Sequence, residues 1–308
     1  MSGRILVIGS LNMDIVYRMK QMPVKGQTVL ADDFSYSAGG KGANQACAVG
    51  KLGGKVSMLG CVGRDGFGAS LLKSLAGSGV DTDNIAVSDE KSTGTASIYV
   101  DASGENSIVV NQGANALCSV DYLKQNDTVV AAADLILLQM EIPQDAVGYA
   151  VRRCRELGKK VILNPAPAPE KLDPELLRSV DYLTPNETEL ARISGRAAGT
   201  DAEIAEAAGC LRNAGLRNLL VTLGEKGCRC FSGTDTVSVP ACRYGKAVDT
   251  TAAGDCFNGA FAVALSEGKN AEEAMKFANA ASAIAVSRKG AQSSIPERSE
   301  ADRLLAEA

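Results

Sequence analysis

Residues 135–163 read LILLQMEIPQDAVGYAVRRCRELGKKVIL. The apolar runs at 135–139 and 161–163 are short and nearly uninterrupted, as in strands covered on both faces. Between them, 144–157 has a helical pattern that stops at Gly158. A strand, a crossover helix and a second strand make a parallel pair. The same rhythm extends outward in both directions. Strands are expected at 5–8, 56–62, 181–183 and 219–222. Helices are expected at 67–76, 202–213, 254–267 and 271–287, followed by a short helical stretch at the end. The fold class is therefore α/β, a mostly parallel sheet sandwiched by helices. No internal repeat or low-complexity linker divides the chain, so one domain is expected over 1–308.

Two segments break the rhythm. Residues 28–37 and 95–110 alternate apolar and polar side chains, and the second contains the turn cluster DASGEN at 101–106, which reads as a β-hairpin. Strands of this kind keep one face wet or place it over a ligand. A small β lid, drawn from about 12–37 and 94–112, is the expectation.

The 32 basic and 36 acidic residues leave a net charge of −4. No block of like charge stands out, so neither nucleic acid nor an anionic membrane is expected as a partner. The longest apolar stretch, 129–138, contains Asp134 and is too short to cross a bilayer. The opening MSGRILVIGS lacks a signal-peptide pattern, and a cytoplasmic chain is expected. There is no histidine. That excludes Ser-His-Asp and Cys-His catalysis, HExxH zinc sites and any histidine base. Proton transfer must fall to a carboxylate, Lys, Tyr, Cys or a metal-bound water. The nine cysteines form no CxxC pair and read as small buried residues of a reducing compartment. Cys228 and Cys230 fall in a strand-like run that would place both on one face.

Four clusters are candidates for chemistry. In DTTAAGDCFNGA at 249–260, small residues lead into a helix with Asp255 in its first turn. Unpaired N–H groups at such a start bind anions, although an ordinary capped helix has the same composition. GGKGAN at 39–44 lies just before a helix. Its spacing is wrong for a P-loop, and it suits a glycine loop pressed against a polyhydroxyl ligand, with a flexible turn as the alternative. In TPNETE at 184–189, Asn186 and Glu189 match a capping box, or an amide and carboxylate pair that holds magnesium-bound water and phosphate oxygens. TLGEKG at 222–227 follows a strand, where nucleotides lie in open α/β sheets, but a plain strand–turn–strand connection explains it equally well.

These motifs occur together and in order, and the chain resembles the ribokinase family of carbohydrate kinases (the phosphofructokinase-B type) nearly end to end. GSLNMD at 9–14, MEIP at 140–143, NPAPA at 164–168 and RKGAQ at 288–292 carry the likeness further. Where the family's commonest form is GAGD, this chain has Ala252 before Ala253, Gly254 and Asp255. The resemblance implies a ribokinase-like fold and ATP-dependent phosphorylation of a sugar. D-ribose, at its 5-hydroxyl, is the expected acceptor. The alternatives are 2-deoxyribose, another sugar or a nucleoside, or a non-catalytic sugar-binding regulator. It implies Asp255 as general base and the backbone N–H groups of Ala252, Ala253, Gly254 and Asp255 as the anion hole. Sugar binding would fall to Asn12, Asp14, Gly40, Lys41, Gly42, Ala43, Asn44 and Glu141. Nucleotide contacts would come from Asn186, Thr222, Leu223, Gly224, Glu225, Lys226, Gly227, Gly254 and Asn279, with Asn186 and Glu189 organising Mg²⁺. A potassium site is implied at Asp249, Thr251, Ala285, Arg288, Gly290 and Ser294. A homodimer through the β lid is implied as well.

Overall fold

The computed structural model describes residues 2–307. A 9-stranded sheet runs in the order Asp235–Val239, Cys228–Ser232, Asn218–Thr222, Tyr182–Leu183, Lys160–Leu163, Leu135–Leu138, Arg4–Ile8, Lys55–Leu59, Val80–Asp81. Its pairs are parallel except at one edge, where Asn218–Thr222, Cys228–Ser232 and Asp235–Val239 meander antiparallel. Alternation sends Ile5 and Val7 to one face and Leu6 and Ile8 to the other, and both faces are buried. The first face packs under the helices Lys41–Lys51, Ala253–Ser266 and Ala271–Val286. The second packs under Gln144–Glu156, Glu187–Ser194 and Asp201–Asn213. Cys228 and Cys230 are buried in the same cluster, and all nine cysteines are free.

The 4-stranded second sheet has the order Asp33–Gly39, Asn12–Arg18, Gly94–Val100, Asn106–Asn111. Its central pair is parallel and its outer pairs are antiparallel. The alternating run at 28–37 becomes a strand only from Asp33, once Asp32 N–H has reached Arg18 O at 2.7 Å. The expected strand over 56–62 is two strands. The chain breaks at Gly60, whose carbonyl accepts Ala86 N–H, and Cys61–Gly63 then pairs with Ala86–Ser88. Among the described residues no helix is long and apolar enough to cross a membrane.

Candidate active site

The strand order turns around between Arg4–Ile8 and Leu135–Leu138. The chain continues to Lys55–Leu59 on one side and to Lys160–Leu163 on the other. A crevice opens beyond the carboxyl ends at such a switch point, and ligands of open α/β sheets bind there. Two loops bridge it here. Ser10 Oγ donates to Glu141 Oε2 at 2.6 Å, and Lys41 N–H donates to the same oxygen at 3.1 Å.

GGKGAN is not a loop ahead of a helix. The helix Lys41–Lys51 begins inside it, with Gly40 as its N-cap at φ 88°. A side chain at Gly40 would meet Asn12 N at 2.6 Å, so the left-handed turn and the close approach both require glycine. This placement changes what the motif offers. Ala43 is buried in the core and its N–H donates to Ser10 O, while Gly42 N–H donates to Ser10 Oγ. Neither faces the crevice with a free group. Asn44, a sugar-binding candidate, gives one Nδ2 hydrogen to Asp255 Oδ2 at 2.9 Å. Its Oδ1 is buried without a partner and stands as an acceptor. Asn12 Oδ1 likewise accepts from Asn115 Nδ2 at 2.8 Å, which leaves the Asn12 amide nitrogen as its free end.

Asp255 sits in the first turn of Ala253–Ser266, where the helix dipole favours an anion. It is 6% exposed. Burial raises its carboxyl above the ordinary value, against the pull of Lys41 and the hydrogen bonds from Gln45 and Asn44. Lys41 is held charged chiefly by Asp255, although its own burial works the other way. Asp14 is pushed up to about 7 by burial and then by the like charges of Glu141 and Asp255. The site is thus a group of four carboxylates, Asp14, Glu141, Glu189 and Asp255, around the one ammonium of Lys41. Gly259 lets the two helices that build it come together, since a side chain there would lie 2.5 Å from Ala48 Cβ.

Ala252 precedes that helix at φ 57°, the one non-glycine residue with positive φ among those described. Of the four N–H groups expected to hold an anion, Ala253 donates to Thr250 O at 3.2 Å. Those of Ala252, Gly254 and Asp255 have no acceptor among the described residues. Space beside Gly254 is open. A cavity of about 180 Å³ lies over this turn, lined among others by Lys41, Asn186, Glu189, Thr222, Gly254 and Asp255. Larger surface clefts exist. One of about 390 Å³ at Arg4, Lys55 and Asp81 lies at the amino ends of the strands, away from this chemistry.

Asn186 and Glu189 form the capping box of Glu187–Ser194, with both reciprocal hydrogen bonds present. Glu189 nonetheless faces the cavity, and burial raises its carboxyl. One oxygen, Oε2, accepts Asn186 N–H, and Oε1 is left for other partners. Thr222 ends its strand and bridges to Asn186. After it, Leu223 and Gly227 are buried, while Gly224, Glu225 and Lys226 form an exposed 3-10 turn beyond the cavity lining. Asn279 does not reach the cavity as a free group. Its Nδ2 donates to Val239 O and Pro240 O and so pins the chain that leads to 249–255.

Of the residues expected at a cation site, hydrogen bonds bring together Asp249, Thr251 and Gly290. Asp249 Oδ1 accepts Thr251 N–H and Oδ2 accepts Gly290 N–H, both at 2.9 Å. Burial opposes ionisation of Asp249, but these hydrogen bonds prevail and hold its carboxyl below the ordinary value. Ser294 is fully buried nearby in sequence, Ala285 O accepts Arg288 N–H, and the Arg288 guanidinium turns away to Glu300. Among the described residues no three His, Cys, Asp or Glu side chains converge as a metal cage. A magnesium ion held mostly by phosphates and water does not need one.

Sequence reasoning missed the residues behind these groups: Ser10, Gln45, Asn115, Gln139, Asn164, Thr184 and Asn258, all buried. A signal existed for two of them. Asn164 and Thr184 each follow an apolar strand and precede proline, where a polar side chain has no reason of propensity to be buried.

The chain matches the family model for pfkB family carbohydrate kinase over residues 2–298. It is 40% identical to the ribokinase of Haemophilus influenzae over 301 residues, covering 97% of each chain. It is also 40% identical to the deoxyribokinase of Salmonella typhi over 292 residues, covering 95% of each. The structure of Arabidopsis thaliana ribokinase complexed with ribose and ATP superposes with a TM-score of 0.93, at 35% identity and 99% coverage of both chains. With a crevice at the switch point, a buried carboxylate beside unpaired N–H groups and a match along almost its whole length, the chain belongs to the pfkB family of carbohydrate kinases.

Proposed function

We propose that the protein transfers the γ-phosphate of ATP to the 5-hydroxyl of D-ribose. The observation that carries this is the meeting of Asp255 with three unpaired N–H groups at one helix start, directly beside Asn44 and Lys41. Asp255 accepts the proton of the attacking hydroxyl as the new O–P bond forms and the bond to ADP breaks. The N–H groups of Ala252, Gly254 and Asp255 hold the charge on the transferred group. Phosphoryl transfer asks for positioning and charge stabilisation, so a chain without histidine is fully equipped for it. Asn12, Asp14, Lys41, Asn44 and Glu141 offer polar groups to the sugar, and Gly40 lets the backbone come close. Asn186, Thr222 and the turn Gly224–Lys226 border the nucleotide.

The donor set fits the expected ions. The Oε1 of Glu189 and the phosphates suit Mg²⁺, which supplies charge neutralisation on the phosphates when bound. Asp249 with the backbone around Thr251 and Gly290 suits K⁺, and its place next to 252–255 lets it order the anion loop. The 4-stranded sheet serves as a lid that excludes water, the competing acceptor. Its exposed apolar side chains support a homodimer through the lid, and we read the enzyme as cytoplasmic.

A second reading, 2-deoxyribose as acceptor, has support in relatives of equal identity that carry the name deoxyribokinase. Against it, Asp14, Lys41 and Asn44 supply more polar partners than a deoxygenated sugar satisfies, and an unpaired polar site rejects such an analogue. The test is kcat/KM for both sugars with ATP and Mg²⁺, in potassium and in tetramethylammonium salt. A clear preference for ribose, with faster turnover in potassium, is expected. A ratio near one or favouring 2-deoxyribose overturns the acceptor, and equal rates in both salts overturn the cation site.

A further inference from the structure

Three neighbouring strands of the large sheet finish in a buried polar side chain: Gln139 after Leu135–Leu138, Asn164 after Lys160–Leu163, and Thr184 after Tyr182–Leu183. Gln45, from the second turn of Lys41–Lys51, reaches in among them and has no exposed surface. Its Nε2 donates to Asp255 Oδ1 at 2.9 Å and to Asn164 Oδ1 at 3.2 Å. Its Oε1 accepts from Gln139 Nε2 at 2.7 Å. Both amide protons and the carbonyl oxygen of Gln45 are therefore engaged without water. The chain continues through Asn164 Nδ2 to Thr184 O, Thr184 Oγ1 to Asn258 Oδ1, and Asn258 Nδ2 to Gly254 O, back to the anion turn.

A primary amide can rotate to exchange its nitrogen and oxygen. Rotated, Gln45 would set its oxygen against the carboxylate of Asp255 and its nitrogen against the Gln139 donor. Both contacts would be repulsive, in a place where an unpaired polar group is costly. Asp255 and Asn164 accept on one side of Gln45 and Gln139 donates on the other, so the three contacts agree on the orientation that donates to Asp255, while Gln139 Oε1 is buried without a partner.

We propose that Gln45, oriented by Gln139, is a positioning residue for phosphoryl transfer, holding Asp255 toward the acceptor hydroxyl in its proton-accepting form. The inference rests on the reading of Asp255 as the base. Asn44 holds the other carboxylate oxygen. The charged groups that face Asp255 are Lys41 on the same helix, Asp14 from the lid sheet, Glu141 from the crevice loop and Glu189 from the capping-box helix. Only Lys41 among them favours its ionised form, so the Gln45 donor has no substitute but Asn44.

The experiment measures kcat and KM from about pH 5.5 to 9 for Gln45→Leu, Gln139→Met and Gln139→Glu beside wild type. The acceptor is whichever of ribose or 2-deoxyribose the wild type turns over. For Gln45→Leu, kcat should fall about tenfold to a hundredfold, the scale of one hydrogen bond to a charged group. Its acidic limb should move to higher pH, and the sugar KM should stay within about threefold. Gln139→Met should shift the limb the same way by less. Gln139→Glu is the closer isostere, but its carboxylate cannot donate to Gln45 Oε1. It should be the slower of the two above neutral pH. A mere packing role predicts the reverse order. Glu outperforming Met, or a Gln45→Leu limb that does not move, overturns the proposal. If Gln45→Leu shows no thermal transition, the Gln139 pair decides alone. Asp255→Asn separates the two readings: full turnover there sinks the base, whereas its inactivity with unmoved limbs in the glutamine variants sinks only the positioning role.

Discussion

The two sheets of this molecule solve the same covering problem in opposite ways. In the 9-stranded sheet both faces are sealed by helices, and Leu6, Val7, Ile136 and Leu137 are completely buried. In the 4-stranded sheet, Ile108 and Val110 are 54% and 53% exposed, as are Phe34 and Tyr36 at 52% and 61%. By register, Ile108 and Val110 lie on the face that carries Asp14. The difference separates two tasks. The sealed sheet holds Asp255 and its neighbours still, and the open one leaves apolar side chains uncovered, a face that the proposed function offers to the sugar and to a second lid.

The strongest way to break this division is Asp255→Asn. It should keep the fold and sugar binding and lose about 10²–10⁴-fold in turnover, the usual scale of a lost general base. Turnover within a few-fold of wild type would move the chemistry away from the sealed sheet. The lid's half of the comparison is sharpened by Ile108→Asp with Val110→Asp. Both positions are exposed, so the thermal midpoint should hold, while self-association in the ultracentrifuge is lost and the sugar KM rises several-fold. Unchanged mass and KM would leave that surface without the task assigned to it.

Asp14 stands where the two sheets meet. Its carboxyl is raised from 3.8 to about 7, so the folded chain binds a proton that the unfolded chain has released. Its contribution to stability is complete below about pH 3.8 and is lost as pH rises through 7. Asp14→Asn, uncharged throughout, escapes that loss. Its thermal midpoint should match wild type near pH 4 and exceed it by a few degrees at pH 8, even as sugar affinity falls. A gap that is the same at both pH values would contradict the raised carboxyl. The smallest effect is expected at Ala252→Gly. A left-handed alanine costs about 1 kcal/mol, and the greater freedom of glycine in the unfolded chain offsets much of it. The thermal midpoint should move by less than about 2–4 °C and kcat should stay within about twofold. A large loss of either would mean that the methyl group itself shapes the anion turn.

Much of this was legible in residue order. Four-residue apolar strands bounded by glycine and helical patterns are local signals, and 135–163 alone implies the parallel sheet. Asp255 and Asn186 could be located because helix starts have a local composition. Gln45 and Gln139 were not, because a glutamine after an apolar strand or inside a helix has no distinguishing neighbour. The start of the helix inside GGKGAN was misplaced for a related reason. The glycines at 39, 40 and 42 have poor helical propensity, and tertiary contacts with Ser10 and Glu141 overrule it.

By itself, then, the sequence determined the class of fold, the motifs that frame the crevice and the absence of any histidine chemistry. Those depend on periodicity and composition within a few turns of chain. The tertiary structure alone decided which ends of those motifs are free. Asn44 spends one amide proton on Asp255 and keeps its oxygen unpaired, Ala43 faces the core, and Asp255 is held by an amide from position 45. Hydrogen-bond partners separated by 211, 210 and 94 residues settle these points. A buried polar atom has its role set by whatever the fold brings within 3 Å of it, and no local pattern encodes that.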